Sequence, residues 1–318
     1  MRIFRKPAYG AALLALALVL GACGSGVGGD DDSGGGESGE PLASQMVLGG
    51  PPECPERPFC EPGLKETYGI EFQDFQPLDV GGPQTVNALA NDRIDVGLLF
   101  STSSAIEAEN FVVLEDDKQL QQAENITPIV RNDVLDDTIE GSLNNVSAAL
   151  TTENITELNG RVELDQEDPA DVAADFIESE GIEPEGSGSG DLTIGGVAFA
   201  ENQIVAEMYG QVLEDAGFNV DLQTDLRSRE ILYPAIRSGE VDIAPEYLGT
   251  LSLFLDPQAD LSGDPQNNAD VLAPLLEKDG IALLEYSDAN DTNAFVVTQE
   301  TADEFGISTL SDLAEPQE

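Results

Sequence analysis

Chemistry in this 318-residue chain falls largely to carboxylates, because it has no His and no Trp, only three Cys, and 62 Asp plus Glu. Without an imidazole base, the usual Ser and Cys triads and most zinc sites are out of reach, and no Gly-rich loop carries a P-loop Lys. An enzyme would be left with a carboxylate pair such as Glu246 and Glu201, as in glycoside hydrolysis. An enzyme is therefore not expected, nor a cofactor or a metal. Cys54 and Cys60, in CPERPFC, are placed to close a Pro-rich loop by a local disulfide in an oxidising compartment. Two sulfurs with no His and no further Cys do not complete a tetrahedral zinc site.

Charge excludes a class of partner. Thirteen Lys plus Arg against 62 acids give a formal net charge of -49, so nucleic acid, which needs a cationic footprint, is not an expected partner. Such a surface stays soluble by self-repulsion and holds hydrated cations, which suits salty surroundings. The 41% hydrophobic content still suffices for a substantial core.

The first residues read as an address. Arg2, Arg5 and Lys6 precede the apolar run AALLALALVL, which is short for a membrane span, and Leu20-Gly21-Ala22-Cys23 follows. This resembles the lipobox of bacterial lipoproteins, which implies a signal peptide over 1–22 and a lipid on Cys23 that anchors the chain to the membrane. Residues 23–40, GSGVGGDDDSGGGESGE after the Cys, are expected to be a flexible tether holding the folded part outside the cytoplasmic membrane.

The elements that must position any site are announced by a repeated phrase, ALANDRIDVG at 88–97 and AIRSGEVDIA at 235–244. Around the second copy, LTIGGVAF, FNVDLQT and VDIAPEY read as strands. NQIVAEMYGQVLEDAG and SREILYPAIRSG read as helices, the first with Ile204, Val205, Met208, Val212 and Leu213 on one face and a stop at Gly217. Around the first copy, strands SQMVLGG, IEFQDFQP and RIDVGLLF alternate with a short helix EPGLKETYG and a helix GPQTVNALAND. Each copy is a β-loop-α-β-α-β unit, so the expected fold class is α/β with two lobes, each a mostly parallel sheet flanked by helices. Ligands of open α/β sheets sit beyond the carboxyl ends of the strands, which makes the space between the lobes a cleft. Asp95 and Asp242, one in each phrase, fall near the start of a strand that delivers its end to that cleft.

The segments GGVAFAENQIVAEMYGQVLEDAGFNV, SGEVDIAPEYLGT, GGPPECPERPFCEPGL, IDVGLLFST and VVLEDDKQL together resemble the substrate-binding proteins of glycine betaine/choline (quaternary amine) ABC importers, the OpuAC type. Their order is exchanged relative to that family. There the segment like 191–318 comes first and the segment like 41–183 follows, so the chain reads as a circular permutant joined by GIEPEGSGSGDLT. The resemblance implies a type II periplasmic-binding-protein-like fold with crossings at GLLFST and AFVVT. Lobe two is then expected from 41–101 plus 296–318, and lobe one from 102–295 with an internal linker at 184–190.

The resemblance also implies chemistry. Quaternary ammonium groups are held against aromatic faces and carboxylates by Arg or hydroxyl donors. Tyr247 and Thr250 of EYLGT match a cage Tyr and a carboxylate-binding Thr of the family, and Arg57 matches its carboxylate-binding Arg. The family's YPEY is here Ala244-Pro245-Glu246-Tyr247, its NTYA is Asp291-Thr292-Asn293-Ala294, its STDG is Ser101-Thr102-Ser103-Ser104, and Asn125 stands before the segment ending in PIVR. Most of the Tyr cage is therefore absent. Glu201, Asn202, Asn293, Ser101 and Thr102 would instead make a polar cleft for a hydroxylated or amine-bearing solute. The implied partners are a small osmolyte-like solute and the permease subunits of an ABC importer. The rival expectation is a ligand-independent or sensory interaction module on the same fold.

Overall fold

The computed structural model describes residues 40–79 and 81–316; the signal segment, Cys23 and all of the tether but its last residue lie outside the described residues. Among the described residues the strands are β1 (Val47–Gly50), β2 (Asp74–Pro77), β3 (Val96–Phe100), β4 (Phe111–Val113), β5 (Ile126–Arg131), β6 (Asp191–Val197), β7 (Asn219–Leu226), β8 (Ile243–Tyr247), β9 (Ile281–Leu283) and β10 (Asn293–Thr298). The helices are α1 (Glu61–Gly63), α2 (Pro83–Leu89), α3 (Ala105–Ala108), α4 (Asp137–Ala149), α5 (Thr152–Glu163), α6 (Pro169–Glu180), α7 (Ala200–Ala216), α8 (Arg229–Ser238), α9 (Leu248–Leu255), α10 (Pro265–Glu277) and α11 (Gln299–Phe305). The chain has the expected two-lobed α/β architecture.

The two sheets have one plan, with strand orders β2-β1-β3-β10-β4 and β7-β6-β8-β5-β9. In each, three parallel strands come first, the fourth runs antiparallel to both its neighbours, and an edge strand closes the set. The reversed strand is the one the chain enters from the other lobe, β10 after β9 and β5 after β4. Helices cover both faces of each sheet, so a central strand such as β8, IAPEY, is buried along its whole length, its Glu246 included. Ile126, Ile194, Ile243 and Tyr209 anchor the core on one side of the lobe-one sheet, and Ile129, Leu232 and Leu248 the core on the other.

The repeated phrase is a repeated junction. Gly239 and Asp92 occupy the same place in the two copies, both in the left-handed region, at φ 80° and 52°. The next amide in each copy turns back onto the helix, Glu240 N–H to Ala235 O and Arg93 N–H to Ala88 O, both at 2.9 Å. Each helix is thus stopped and its strand launched by the same backbone turn.

Lobe boundaries fall elsewhere than 101/102 and 295/296. β4 pairs with β10, Val113 opposite Val296, so the chain stays in the lobe-two sheet until residue 113 and re-enters it at 293. The cause is a short return element, α3 with β4, which the boundary at 102 had assigned to lobe one. The connecting segments lie between 113 and 126 and between 283 and 293, side by side, with a bridge between Asn125 and Asn290 and an Asp291 N–H to Glu124 O bond of 3.2 Å.

The chain ends of the folded part are neighbours: Pro41 and Pro316 form an antiparallel bridge and Leu42 N–H donates to Glu315 O at 3.0 Å. The Gly/Ser stretch over 184–190 is packed onto lobe one. Glu185 N–H donates to Ser142 Oγ at 3.0 Å and Gly188 N–H to Ala216 O at 2.8 Å. A side chain at 188 would run into the Phe218 ring, so glycine lets the stretch lie directly on that ring.

Candidate functional site

A cavity of about 760 Å³ opens between the lobes where β3 and β6 end. Lobe two supplies Phe100 at the end of β3, the turn Thr102–Ala105 and the start of α2. Lobe one supplies Val197–Phe199 at the end of β6, Glu201 in the first turn of α7, and Asn159 and Glu163 on α5. The volume lies in the range of small-solute sites.

Its floor is a carboxylate network. The Tyr247 hydroxyl donates to Glu201 Oε1 at 2.7 Å and Asn159 Nδ2 to Glu201 Oε2 at 3.0 Å. Asn159 Nδ2 also donates to the Thr102 carbonyl at 3.2 Å, and the Thr102 hydroxyl to Asp291 Oδ1 at 2.7 Å. The Ser104 hydroxyl reaches Glu163 Oε2 at 2.8 Å, so α5 is tied to lobe two at two places. Phe199 stacks on Tyr247, ring centroids 6.2 Å apart, and lays an exposed aromatic face along the cleft.

Burial pushes the Glu201 carboxyl above the usual carboxylate range, against the opposing pull of the Tyr247 and Asn159 hydrogen bonds. Asp291 is driven well above its ordinary value by burial and then by the Glu201 charge. The Tyr247 hydroxyl is held protonated by burial and by both carboxylates, so it acts as a donor.

A second network lies beside the connecting segments. Arg229 grips Glu246 with Nε and Nη2 at 2.7 to 3.0 Å and donates to the Thr250 hydroxyl at 2.9 Å. Glu124 Oε2 accepts the Gly249 and Thr250 amides at 3.1 and 2.9 Å, and its other oxygen accepts from Gln122. Burial raises the Glu124 carboxyl to about 7 in spite of these donors. Glu246 is thereby committed to Arg229, apart from any partnership with Glu201.

The residues expected in the cleft divide accordingly. Thr102 and Glu201 line it, and Tyr247 stands behind Glu201. Asn202 ties two strand ends together, its Oδ1 accepting from Val197 N–H at 2.6 Å and its Nδ2 donating to Pro245 O at 3.1 Å. Ser101 and Asn293 line a separate cavity of about 320 Å³ beside the connecting segments, where Asn293 donates to Gln121 Oε1 at 3.0 Å and Ser101 to Asn290 O at 3.0 Å. Thr250 is engaged by Arg229 and Glu124. Arg57 lines neither cavity; it lies 4.0 Å from Glu53 with its side chain 37% exposed. Cys54 and Cys60 are bridged, with Cα atoms 5.3 Å apart.

Asn159, Phe100, Phe199 and Arg227 line the cleft without a sequence motif that marks them, and Asp291, the first residue of the DTNA segment, lines it in place of Asn293. One signal was available: in α5 the buried face Ile155, Leu158 continues into Asn159, a polar residue on an apolar stripe. Phe100 and Phe199 stand outside every segment in which the family resemblance implies a cage Tyr.

The family described as "Substrate binding domain of ABC-type glycine betaine transport system" matches residues 38–179 and 190–318. A glycine-betaine-binding protein of Pseudomonas aeruginosa is 33% identical over 123 residues, 39% of each chain. A carnitine transport binding protein, OpuCC, of Listeria monocytogenes is 27% identical over 117 residues, 36% of this chain and 37% of that one. The matched segments thus span under two-fifths of the length of these curated relatives. Among solved structures, the probable amino-acid ABC transporter extracellular-binding protein ytmK of Bacillus subtilis aligns over 85% of this chain and 89% of its own, at 10% identity and a TM-score of 0.43.

Proposed function

Because this chain belongs to the family of substrate-binding domains of ABC-type glycine betaine transport systems, we propose that it captures a small osmolyte-like solute between its lobes and hands it to a permease. The observation that carries the reading is the interlobe cavity of about 760 Å³, lined from both lobes at the strand ends. A solute bound there would touch both walls at once, so its binding favours the closed arrangement of the lobes. Rotation would be taken up by the paired connecting segments around Asn125 and Asn290, remote from the sheets themselves. The closed surface is what a permease distinguishes from the empty protein.

In this reading the protein works outside the cytoplasmic membrane, with a lipid on Cys23 and a tether over 23–40 keeping it close to its transporter and raising its effective concentration there. The neighbouring ends at Leu42 and Glu315 support the view that the chain is a circular permutant of the family order. The test of function is mass spectrometry of any small molecule retained on purification, followed by calorimetric titration of the stripped protein with that molecule. Saturable one-site binding is expected. Protein that retains nothing, binds no solute and co-purifies with a membrane complex would support the interaction-module alternative.

A further inference from the structure

We propose that the cleft selects a cationic solute carrying N–H donors, a primary or secondary ammonium or an amidinium-type group, over a quaternary ammonium; this rests on the solute-capture reading above. The first ground is sign. Among the described lining residues, four carboxylates, Glu109, Glu163, Glu201 and Asp291, face a single guanidinium, that of Arg227. Glu201 and Asp291 form no ion pair with any described residue, although Glu201 is buried and both are far costlier to charge there than in water. A cation in the cleft supplies the missing countercharge.

The second ground is hydrogen-bond inventory. Asn159 is 3% exposed and spends both amide N–H groups on acceptors, the Glu201 carboxylate and the Thr102 carbonyl, which fixes the orientation of its amide. Its Oδ1 is left buried with no partner among the described residues. Asp291 takes the Thr102 hydroxyl on Oδ1, and its hydrogen-bond donors come from Thr102 alone, with no cation among them. What the floor lacks is donors. A quaternary ammonium brings none, whereas an ammonium with N–H groups offers donors and the countercharge together.

The third ground concerns the other end of the solute. The amides of Gly249 and Thr250, at the start of α9, already receive the carboxylate of Glu124, and the Thr250 hydroxyl already receives Arg229. A solute carboxylate directed there would have to displace an internal one, so within the cleft the guanidinium of Arg227 is the charged group left to meet an anionic end.

The experiment uses a pair of probes that differ only in three methyl groups. The described protein, stripped of bound solute, is titrated calorimetrically with ethanolamine and choline, and then with putrescine and glycine betaine. Ethanolamine is expected to bind at least roughly tenfold tighter than choline, and putrescine tighter than glycine betaine, because a site built around N–H donors rejects the analogue lacking them. Asp291→Asn is expected to weaken ethanolamine at least roughly tenfold and to change choline much less. Choline bound as tightly as ethanolamine would overturn the inference and leave solute capture standing. If none of the four binds, the molecule retained on purification decides: a cation with N–H groups supports the inference, and any other solute overturns it. The ratio between the two probes is measured on unmutated protein, so a variant that fails to fold does not remove the test.

Discussion

The amide of Thr193 donates to Asp242 Oδ2 at 2.9 Å, and the amide of Asp242 donates back to the carbonyl of Thr193 at 2.8 Å. Val47 and Asp95 repeat the arrangement in the other lobe, at 2.7 and 3.0 Å. The Asp of the repeated phrase therefore clamps two neighbouring parallel strands of each sheet, β1 to β3 and β6 to β8, at the ends remote from the cleft. Its role is to register the wall, and the strand ends opposite carry the site.

Removing this clamp should destabilise. Asp242 also accepts from Arg131 Nη1 at 3.1 Å, so Asp242→Ala strands an amide and leaves the guanidinium only Asp133 as a partner. We expect a loss of about 2 to 3 kcal/mol in urea unfolding, with Asp95→Ala losing about 1 to 2 because it has no Arg partner. Equal losses would show that the ion pair contributes nothing.

Glu124 sets a pH dependence. Its carboxyl is raised from the ordinary 4.5 to about 7 by burial, so the folded protein holds this proton more tightly than the unfolded chain does. Stability from this group is therefore complete below about 4.5 and declines as pH rises towards about 7, by on the order of 3 kcal/mol. Glu201 and Asp291, raised by burial as well, act in the same sense. Unfolding of Glu124→Gln from pH 5 to 8 should show a shallower decline than the parent; an unchanged slope would mean that Glu124 does not titrate there.

Tyr247 and Arg57 should behave differently in solute titration. Tyr247→Phe removes a donor from buried Glu201 and is expected to cost about 1 to 3 kcal/mol of stability and to weaken solute binding at the floor. Arg57→Ala removes an exposed side chain 4.0 Å from Glu53 and should change solute affinity by under ~1 kcal/mol. Strong loss on Arg57→Ala would place that loop against the solute in the closed state.

Much of the architecture was legible because it rests on local patterns. Gly217, at φ 107°, ends α7 where the helical periodicity stops, and Val96 to Phe100 form a buried strand where the phrase launches one. Of IEFQDFQP only Asp74–Pro77 form β2, a strand at the sheet edge, where the apolar alternation says little about where pairing begins. The site was less legible, for a geometric reason. Asn202 and Thr250 have the right chemistry in the first turns of α7 and α9, yet their partners, Pro245 and Arg229, are brought by tertiary packing that no spacing reveals. Asp291 and Glu201 are 90 residues apart and meet only because the connecting segment returns through the cleft floor.

The last prediction tests the order of the chain. Leu42 and Glu315 are hydrogen-bonded at 3.0 Å, so a short join between the two ends spans a small distance and costs little loop-closure entropy. Opening the chain within 184–190 forfeits the Glu185 to Ser142 and Gly188 to Ala216 bonds, a loss of about 1 to 3 kcal/mol that leaves both cores intact. The rearranged protein should therefore fold and bind as the parent does. Its folding order should change. In the present chain β5 to β9 are contiguous, while β10 must return from far along the sequence to pair with β3. After rearrangement β10 precedes β1 closely, and β5 becomes the distant strand of its own sheet. Non-local pairing slows folding, so the last sheet to gain protection should switch from the lobe-two sheet to the lobe-one sheet. Pulsed hydrogen exchange during refolding, read on peptides from β3 and β8, measures this directly. Loss of folding on rearrangement would show that the permuted order is itself required.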